Sequence, residues 1–134
     1  MLTDGFHDIP PGKVAMVVTF LEMRTPRLRG VPLPDGLTFE EMDPDVASYR
    51  SLYRRVGDDW LWYGRNLLPD ADLANILNDP GTRYFTLMKD GVAEALLELD
   101  FRQEGACELA YFGLTSKLIG TGAGAYLMDR AVEH

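Results

Sequence analysis

The sequence predicts a mixed α/β (α+β) fold, a mostly antiparallel sheet flanked by helices. Three observations carry that expectation. The hydrophobic period changes from helical to alternating near residue 82. Asp90-Gly91 lies between two β-rich runs, the composition of a tight hairpin turn. A glycine-rich turn over residues 115–125 then joins the last β-rich run to a helical one. The expected order is β-α-α-β-β-β-α, within a single domain covering 1–134.

Each element has its own local reason. Residues 14–23, VAMVVTFLEM, are rich in β-branched and apolar side chains and read as the first strand. Residues 24–42 hold repeated prolines and glycines and read as loop. In Asp43-Pro44-Asp45, Asp43 is expected as N-cap and Pro44 as the first helical residue. Val46, Tyr49, Leu52, Tyr53 and Val56 then recur at helical spacing, with Gly57 as C-cap. A second helix is expected over Asp70–Leu77, its apolar face Leu73, Ile76 and Leu77, stopped by Asp79-Pro80-Gly81. Strands follow at 82–88 and 92–101. In the latter, alternation puts Ala93, Ala95, Leu97, Leu99 and Phe101 on one face, and Val92, Glu94, Leu96, Glu98 and Asp100 on the other. After a turn at 103–105, residues 106–114 complete an antiparallel meander. The last helix carries Leu127, Met128 and Ala131 at core spacing.

Composition narrows the function. With 134 residues, 46% hydrophobic and 25% charged, the chain is sized and composed for one globular domain rather than a disordered segment. No run approaches the roughly 20 apolar residues of a membrane span, and the N-terminus does not read as a secretory signal. One cysteine, Cys107, excludes an internal disulfide and points to a cytoplasmic address. With no histidine positioned beside it, Cys107 reads as a small buried packing residue rather than a nucleophile. A net charge of −8 argues against nucleic acid as partner and suits a cationic small substrate. Arg24, Arg27 and Arg29, then Arg50, Arg54 and Arg55, read as a solvated loop and a solvated helix face. No Cys/His spacing suggests a metal.

The glycine-rich turn is the most informative segment. Glycines let backbone amides approach a ligand, and a helix start adds unpaired N–H donors and a positive dipole end. Together they suit a phosphate or pyrophosphate. The kinase-type loop is excluded, because no Gly-Lys-Ser/Thr follows. Gly120, Gly122 and Ala125 fit a dinucleotide fingerprint, yet the strands before them form hairpins rather than βαβ crossovers.

Ile119-Gly120-Thr121-Gly122-Ala123-Gly124, followed by Ala125-Tyr126-Leu127-Met128, resembles the coenzyme loop of the GNAT superfamily of N-acetyltransferases, whose pattern is Q/R-x-x-G-x-G/A. Gly122 and Gly124 match the G-x-G, while Ile119 stands where Gln or Arg is usual. The order of elements from about residue 14 is similar to the family's first strand, two helices, three strands and third helix. The resemblance implies acetyl-CoA as co-substrate, its pyrophosphate held by main-chain amides over Ile119, Gly120, Thr121, Gly122, Ala123, Gly124 and Ala125. It implies that the main chain of Phe112, Gly113 and Leu114 pairs with the pantetheine arm, and that an amide near Leu114 supplies an oxyanion donor. Gly113 permits a bulge that would open a cleft.

Acetyl transfer to an amine needs a base for the ammonium, donors for the oxyanion and a proton for the departing thiolate. By the resemblance, Glu108 is the first candidate base. Alternation groups it with Ala110, Phe112 and Leu114. Glu98 on the adjacent strand is second, as a relay through water, and Asp100 third. Trp60, Trp62 and Tyr63 could wall an acceptor site by cation–π contact, although aromatics so placed more often pack a core. The acceptor itself, a small-molecule or peptide amine, is open. The family's fold continues beyond the third helix, so the sequence is expected to be a fragment of a longer enzyme, and its open 106–114 edge to invite a homodimer. Rival expectations are a non-catalytic acetyl-CoA-binding module and an interaction module pairing through that edge.

Overall fold

Asp90 and Gly91 form the tight turn between two strands of the sheet. Both have left-handed backbone, φ 51° and 77°, the geometry of a primed two-residue turn whose twist matches the flanking strands. In the computed structural model, which describes residues 3–134, this turn joins β2 (Thr82–Lys89) to the short β3 (Val92–Ala93) and to β4 (Ala95–Asp100). β5 (Glu108–Leu114) pairs with β4, and β1 (Leu37–Met42) with the far side of β2. All pairings are antiparallel, in the order β1-β2-β4-β5, with β3 on β2.

The first strand is not where sequence alone placed it. Residues 14–23 lie outside the sheet, with Val14, Val17, Phe20 and Leu21 between 89% and 94% exposed. The strand is formed instead by LTFEEM, within the stretch expected as loop. β-propensity measures fit to a half-buried pleated surface. Leu37 and Phe39 provide that fit, since Leu37 is buried and Phe39 stacks on Phe85 at 5.3 Å, while Thr38 and Glu40 face outward.

The helices cover both faces. α1 (Val46–Gly57) is capped by Asp45 rather than Asp43, the Asp45 carboxylate accepting from Ser48 N–H at 2.7 Å. Gly57 is its last residue rather than its cap, and a 3-10 turn, Asp58–Trp60, continues the coil. A Cβ on Gly57 would stand 2.5 Å from the Trp62 side chain, so packing explains that glycine. A short α2 (Gly64–Leu67) precedes α3 (Asp70–Leu77), which has the expected bounds. Tyr49, Leu52, Tyr53, Val56, Leu73 and Leu77 from α1 and α3 bury one face of the sheet with Tyr84 and Leu96. α4 (Ala123–Glu133) buries the other, its Ala123 and Leu127 meeting Phe85, Leu87, Ala95, Leu97 and Leu99. The helix-1 arginines are not a free solvated face: Arg50 is ion-paired with Asp70 and donates to Leu68 C=O, tying α1 to α3. Among the described residues no helix is long and apolar enough to cross a membrane.

Two irregularities alter the strand faces. The 92–101 strand breaks at Glu94, so Ala93 packs with Leu96 beneath α1 while Ala95, Leu97 and Leu99 face α4. β4 is buried throughout, so the face carrying Glu98 is no outer surface. In β5 the register passes from Glu98↔Tyr111 to Leu99↔Leu109, leaving Ala110 as the extra residue of a bulge. The bulge is thus at Ala110, not Gly113. Partners across an antiparallel pair share a face. Glu108, opposite Asp100, therefore sides with Tyr111 and Gly113 and not with Ala110, Phe112 and Leu114.

Candidate functional site

β5 ends at Leu114, and the chain then turns over a buried plug. Leu118 is 1% exposed in the α4-side core and donates from its N–H to Thr115 C=O at 3.0 Å. Thr121 N–H and Oγ1 both bond Leu118 C=O, at 3.3 and 2.8 Å, which rounds the loop off into α4. Three glycines serve this turn for different reasons. Gly120 and Gly122 have φ of 80° and 87°, left-handed backbone that other residues resist, and a Cβ on either would meet nothing within 4 Å. The space over them is open. Gly124 is right-handed but close-packed, its absent Cβ 3.3 Å from Leu114 Cδ1. Gly122 is the N-cap of α4 and has no side chain to cap it, while Thr121 Oγ1 accepts from Ala123 N–H at 3.3 Å. Three of the amides expected to hold the pyrophosphate are engaged within the turn, Thr121 N–H on Leu118 C=O, Ala123 N–H on Thr121 Oγ1 and Ala125 N–H on Gly122 C=O.

Beside this loop lies a cleft of about 440 Å³ lined by Trp60, Trp62, Phe112, Gly113, Leu114 and Ile119. Four of these were expected to contact the coenzyme, and the two tryptophans to be core aromatics with an acceptor wall as the alternative. Gly120, Thr121 and Gly122 continue exposed from Ile119, while Ala123 is buried and Gly124 and Ala125 half-buried in the first turn of α4. The tryptophans diverge at Leu61, a leucine held in left-handed backbone at φ 58°, ψ 37°. Such a conformation is costly for a branched side chain and persists only where its surroundings enforce it. Trp62 turns inward onto Tyr53 and Tyr111, at ring separations of 5.3 and 5.2 Å, whereas Trp60 is 66% exposed at the cleft. Trp62 is thus mainly a core aromatic with one edge in the cleft, and Tyr63 is exposed outside it.

The carboxylates are distributed differently. Glu98 is wholly buried, ion-paired with Arg65 and accepting a hydrogen bond from the Tyr49 hydroxyl. With both oxygens engaged in a dry site, it holds a structural pair rather than standing ready as a proton relay. Burial, then the Glu98 charge, push the Tyr49 hydroxyl far above its ordinary value, so it remains a neutral donor. Burial opposes the Arg65 charge, and Glu98 more than offsets it. Arg65 also lies 5.2 Å from the Tyr111 ring, linking the pair to β5. Asp100 is occupied by Arg102, at 2.9 and 3.0 Å from Nε, whose hydrogen bonds hold its carboxyl below the usual range. Glu108 is exposed and lines a second, polar cleft of about 330 Å³ with Asp100, Arg102 and Gln103. It lies five residues before Gly113, roughly 16 Å along an extended strand. The structure therefore does not bring Glu108 and the apolar cleft into contact. Cys107, expected as a buried packing residue, is exposed, and desolvation raises its thiol pKa, opposite to the activation of a nucleophile.

Arg65, Leu61 and Glu94 were not foreseen as parts of the site. Arg65 had no helical pattern around it, Leu61 carries no turn signature, and Glu94 looked like one more charge on a strand face.

These elements define a GNAT-like fold. The chain matches the solved structure of an IAA acetyltransferase from Bacillus cereus ATCC 14579 at a TM-score of 0.51, with 18% identity over 72% of this chain. The match takes in 56% of that protein, so the chain spans about half the length of the structure it resembles. No protein-family model and no curated protein matches the chain.

Proposed function

We propose that the chain forms the coenzyme-binding part of an N-acetyltransferase that passes the acetyl group of acetyl-CoA to a primary amine by direct attack in a ternary complex. The observation that carries this reading is the junction of an open strand edge at Phe112–Leu114 with the left-handed Gly120–Gly122 loop at the start of α4. The strand edge offers main-chain donors and acceptors to the amide arm, and the N–H groups of Ile119, Gly120 and Gly122, which the turn does not use, are left for the pyrophosphate. The shared fold with an acetyltransferase supports it. A second copy paired on the same edge would compete with the coenzyme, so a dimer through β5 is an alternative occupant rather than an addition.

In this reading the amine approaches past Trp60, whose exposed face suits a cation with an apolar body. Its nitrogen forms the new bond to the thioester carbonyl carbon, and a main-chain amide near Leu114 takes the developing oxyanion. The C–S bond breaks, and the thiolate leaves with a proton drawn from solvent. Among the described residues no carboxylate lines the apolar cleft, so the ammonium proton leaves to solvent there; Glu108, on the Gly113 face of β5 but roughly 16 Å along the strand, is the candidate base only through a chain of several waters. Calorimetric titration tests the coenzyme site: acetyl-CoA is expected to bind in the micromolar range and NAD not at all. Binding of NAD with no response to acetyl-CoA would sink the reading. Glu108→Gln is expected to lower kcat by only severalfold, less than the roughly 10²-fold share of a base within one water of its proton, with coenzyme affinity kept. An unchanged kcat would remove Glu108 from that role. A non-catalytic coenzyme module is the second reading, favoured by the absence of a carboxylate from the apolar cleft, and turnover with any amine excludes it.

A further inference from the structure

Glu94 is buried to 1% exposure at the break between β3 and β4, yet three groups from two other parts of the chain converge on its carboxylate. Thr115 Oγ1 donates at 2.8 Å and Lys117 Nζ at 2.5 Å, both from the segment that leads into the glycine loop. Arg55 Nη1 donates at 3.4 Å from the last turn of α1, and its Nη2 donates to Ala93 C=O at 2.7 Å. The main chain is equally engaged, with Glu94 N–H on Leu87 C=O at 2.8 Å and Thr115 N–H on Glu94 C=O at 2.9 Å. Lys117 lies two residues before Ile119, one wall of the apolar cleft. Arg55 lies five residues before Trp60, another residue that lines it. A single buried carboxylate thus ties together the two segments that lead to Ile119 and to Trp60.

We infer that Glu94 is a positioning residue that staples the glycine loop to α1, setting the width of the cleft and the placement of the loop amides. A structural ion pair alone would not need this arrangement. Both cations have partly exposed side chains, 40% for Arg55 and 63% for Lys117, and both can return to water when the carboxylate is removed. A buried acid that holds exposed cations contributes little net stability, because its own desolvation offsets the attraction. What it does fix is geometry, since charge-assisted bonds from two directions leave the loop one position. The coenzyme arm of this inference rests on the proposed acetyl-CoA reading, and the loop-ordering arm does not.

The test uses the intact chain and its Glu94→Gln variant, with hydrogen–deuterium exchange of the free proteins and calorimetry with acetyl-CoA. Glu94→Gln is expected to speed exchange of the 115–122 amides about tenfold and to weaken acetyl-CoA about tenfold, the loss of one charge-assisted bond. KM for acetyl-CoA should rise in proportion while KM for the amine stays put, and the melting temperature should barely move. If the variant does not fold, Lys117→Met, which alters one part-exposed side chain and leaves Arg55 and Thr115 on the carboxylate, should speed the same loop exchange. Faster exchange in a protein whose wild type ignores acetyl-CoA would support the staple and overturn the coenzyme reading alone. Unchanged loop exchange and unchanged affinity would overturn the staple. So would a loss of affinity matched by a general fall in melting temperature, the mark of a merely structural residue.

Discussion

Glu98→Ala is expected to destabilise the protein by about 3–5 kcal/mol, the usual consequence of stranding one member of a buried ion pair. Arg65 has only 14% of its side chain exposed, so without Glu98 its guanidinium would keep its charge in a site that cannot hydrate it. The Tyr49 hydroxyl, on a residue 1% exposed, would lose its acceptor at the same moment. The Tyr111 ring, 5.2 Å from the guanidinium, offers too weak an attraction to replace a carboxylate. The cost comes from the orphaned cation rather than from the worth of the pair, and that distinction is measurable. Glu98→Leu combined with Arg65→Met removes both charges and should recover most of the loss, because burying a pair costs desolvation on each side. Urea unfolding of the two variants decides it. A Glu98→Ala midpoint within error of wild type would mean that Arg65 swings to solvent and the pair is dispensable.

How far such a pair was legible in the sequence depends on how local its cause is. Asp90-Gly91 announces its turn because the requirement for positive φ lies in the two residues themselves. α3 keeps the expected bounds because Pro69 before it and Pro80 after it mark both ends. The glycine loop was readable for the same reason, with left-handed Gly120 and Gly122 and close-packed Gly124 following one another. Glu98 and Arg65 are 33 positions apart, and nothing near either names the other. The choice between residues 14–23 and Leu37–Met42 was settled by which segment fits the edge of β2, a tertiary competition that propensity does not rank. The Ala110 bulge was equally invisible, yet it decides which face Glu108 occupies. A one-residue slip reverses every side chain beyond it, so strict alternation across β5 was bound to misplace Glu108. The loop of the candidate site was therefore written locally, while its carboxylates were not.

Gly113→Ala is expected to have the largest effect on ligand binding. A Cβ there would run into Val56 Cγ1 and stand 3.0 Å from the outer ring of Trp62, tighter than nearly all real contacts. Neither neighbour can yield cheaply. Val56 is β-branched and 2% exposed, and Trp62 is wedged against Tyr53 and Tyr111. Relief requires α1 and Trp62 to move off β5, an overpacking cost of about 1–3 kcal/mol. That movement opens the floor of the cleft, because Gly113, Trp62 and Trp60 line it together. If the coenzyme needs the undisplaced cleft, that strain of about 1–3 kcal/mol falls on binding, so acetyl-CoA affinity should drop by roughly 10- to 100-fold while the fold survives. The compensating change is Val56→Ala, which removes the Cγ1 that the new methyl would strike. Gly113→Ala/Val56→Ala should regain part of the affinity although each substitution alone is harmful, a coupling that a mutant cycle by calorimetry resolves. Additive losses would show that Gly113 serves the strand's own conformation rather than the contact with α1. Full affinity in Gly113→Ala would instead separate the apolar cleft from the coenzyme altogether.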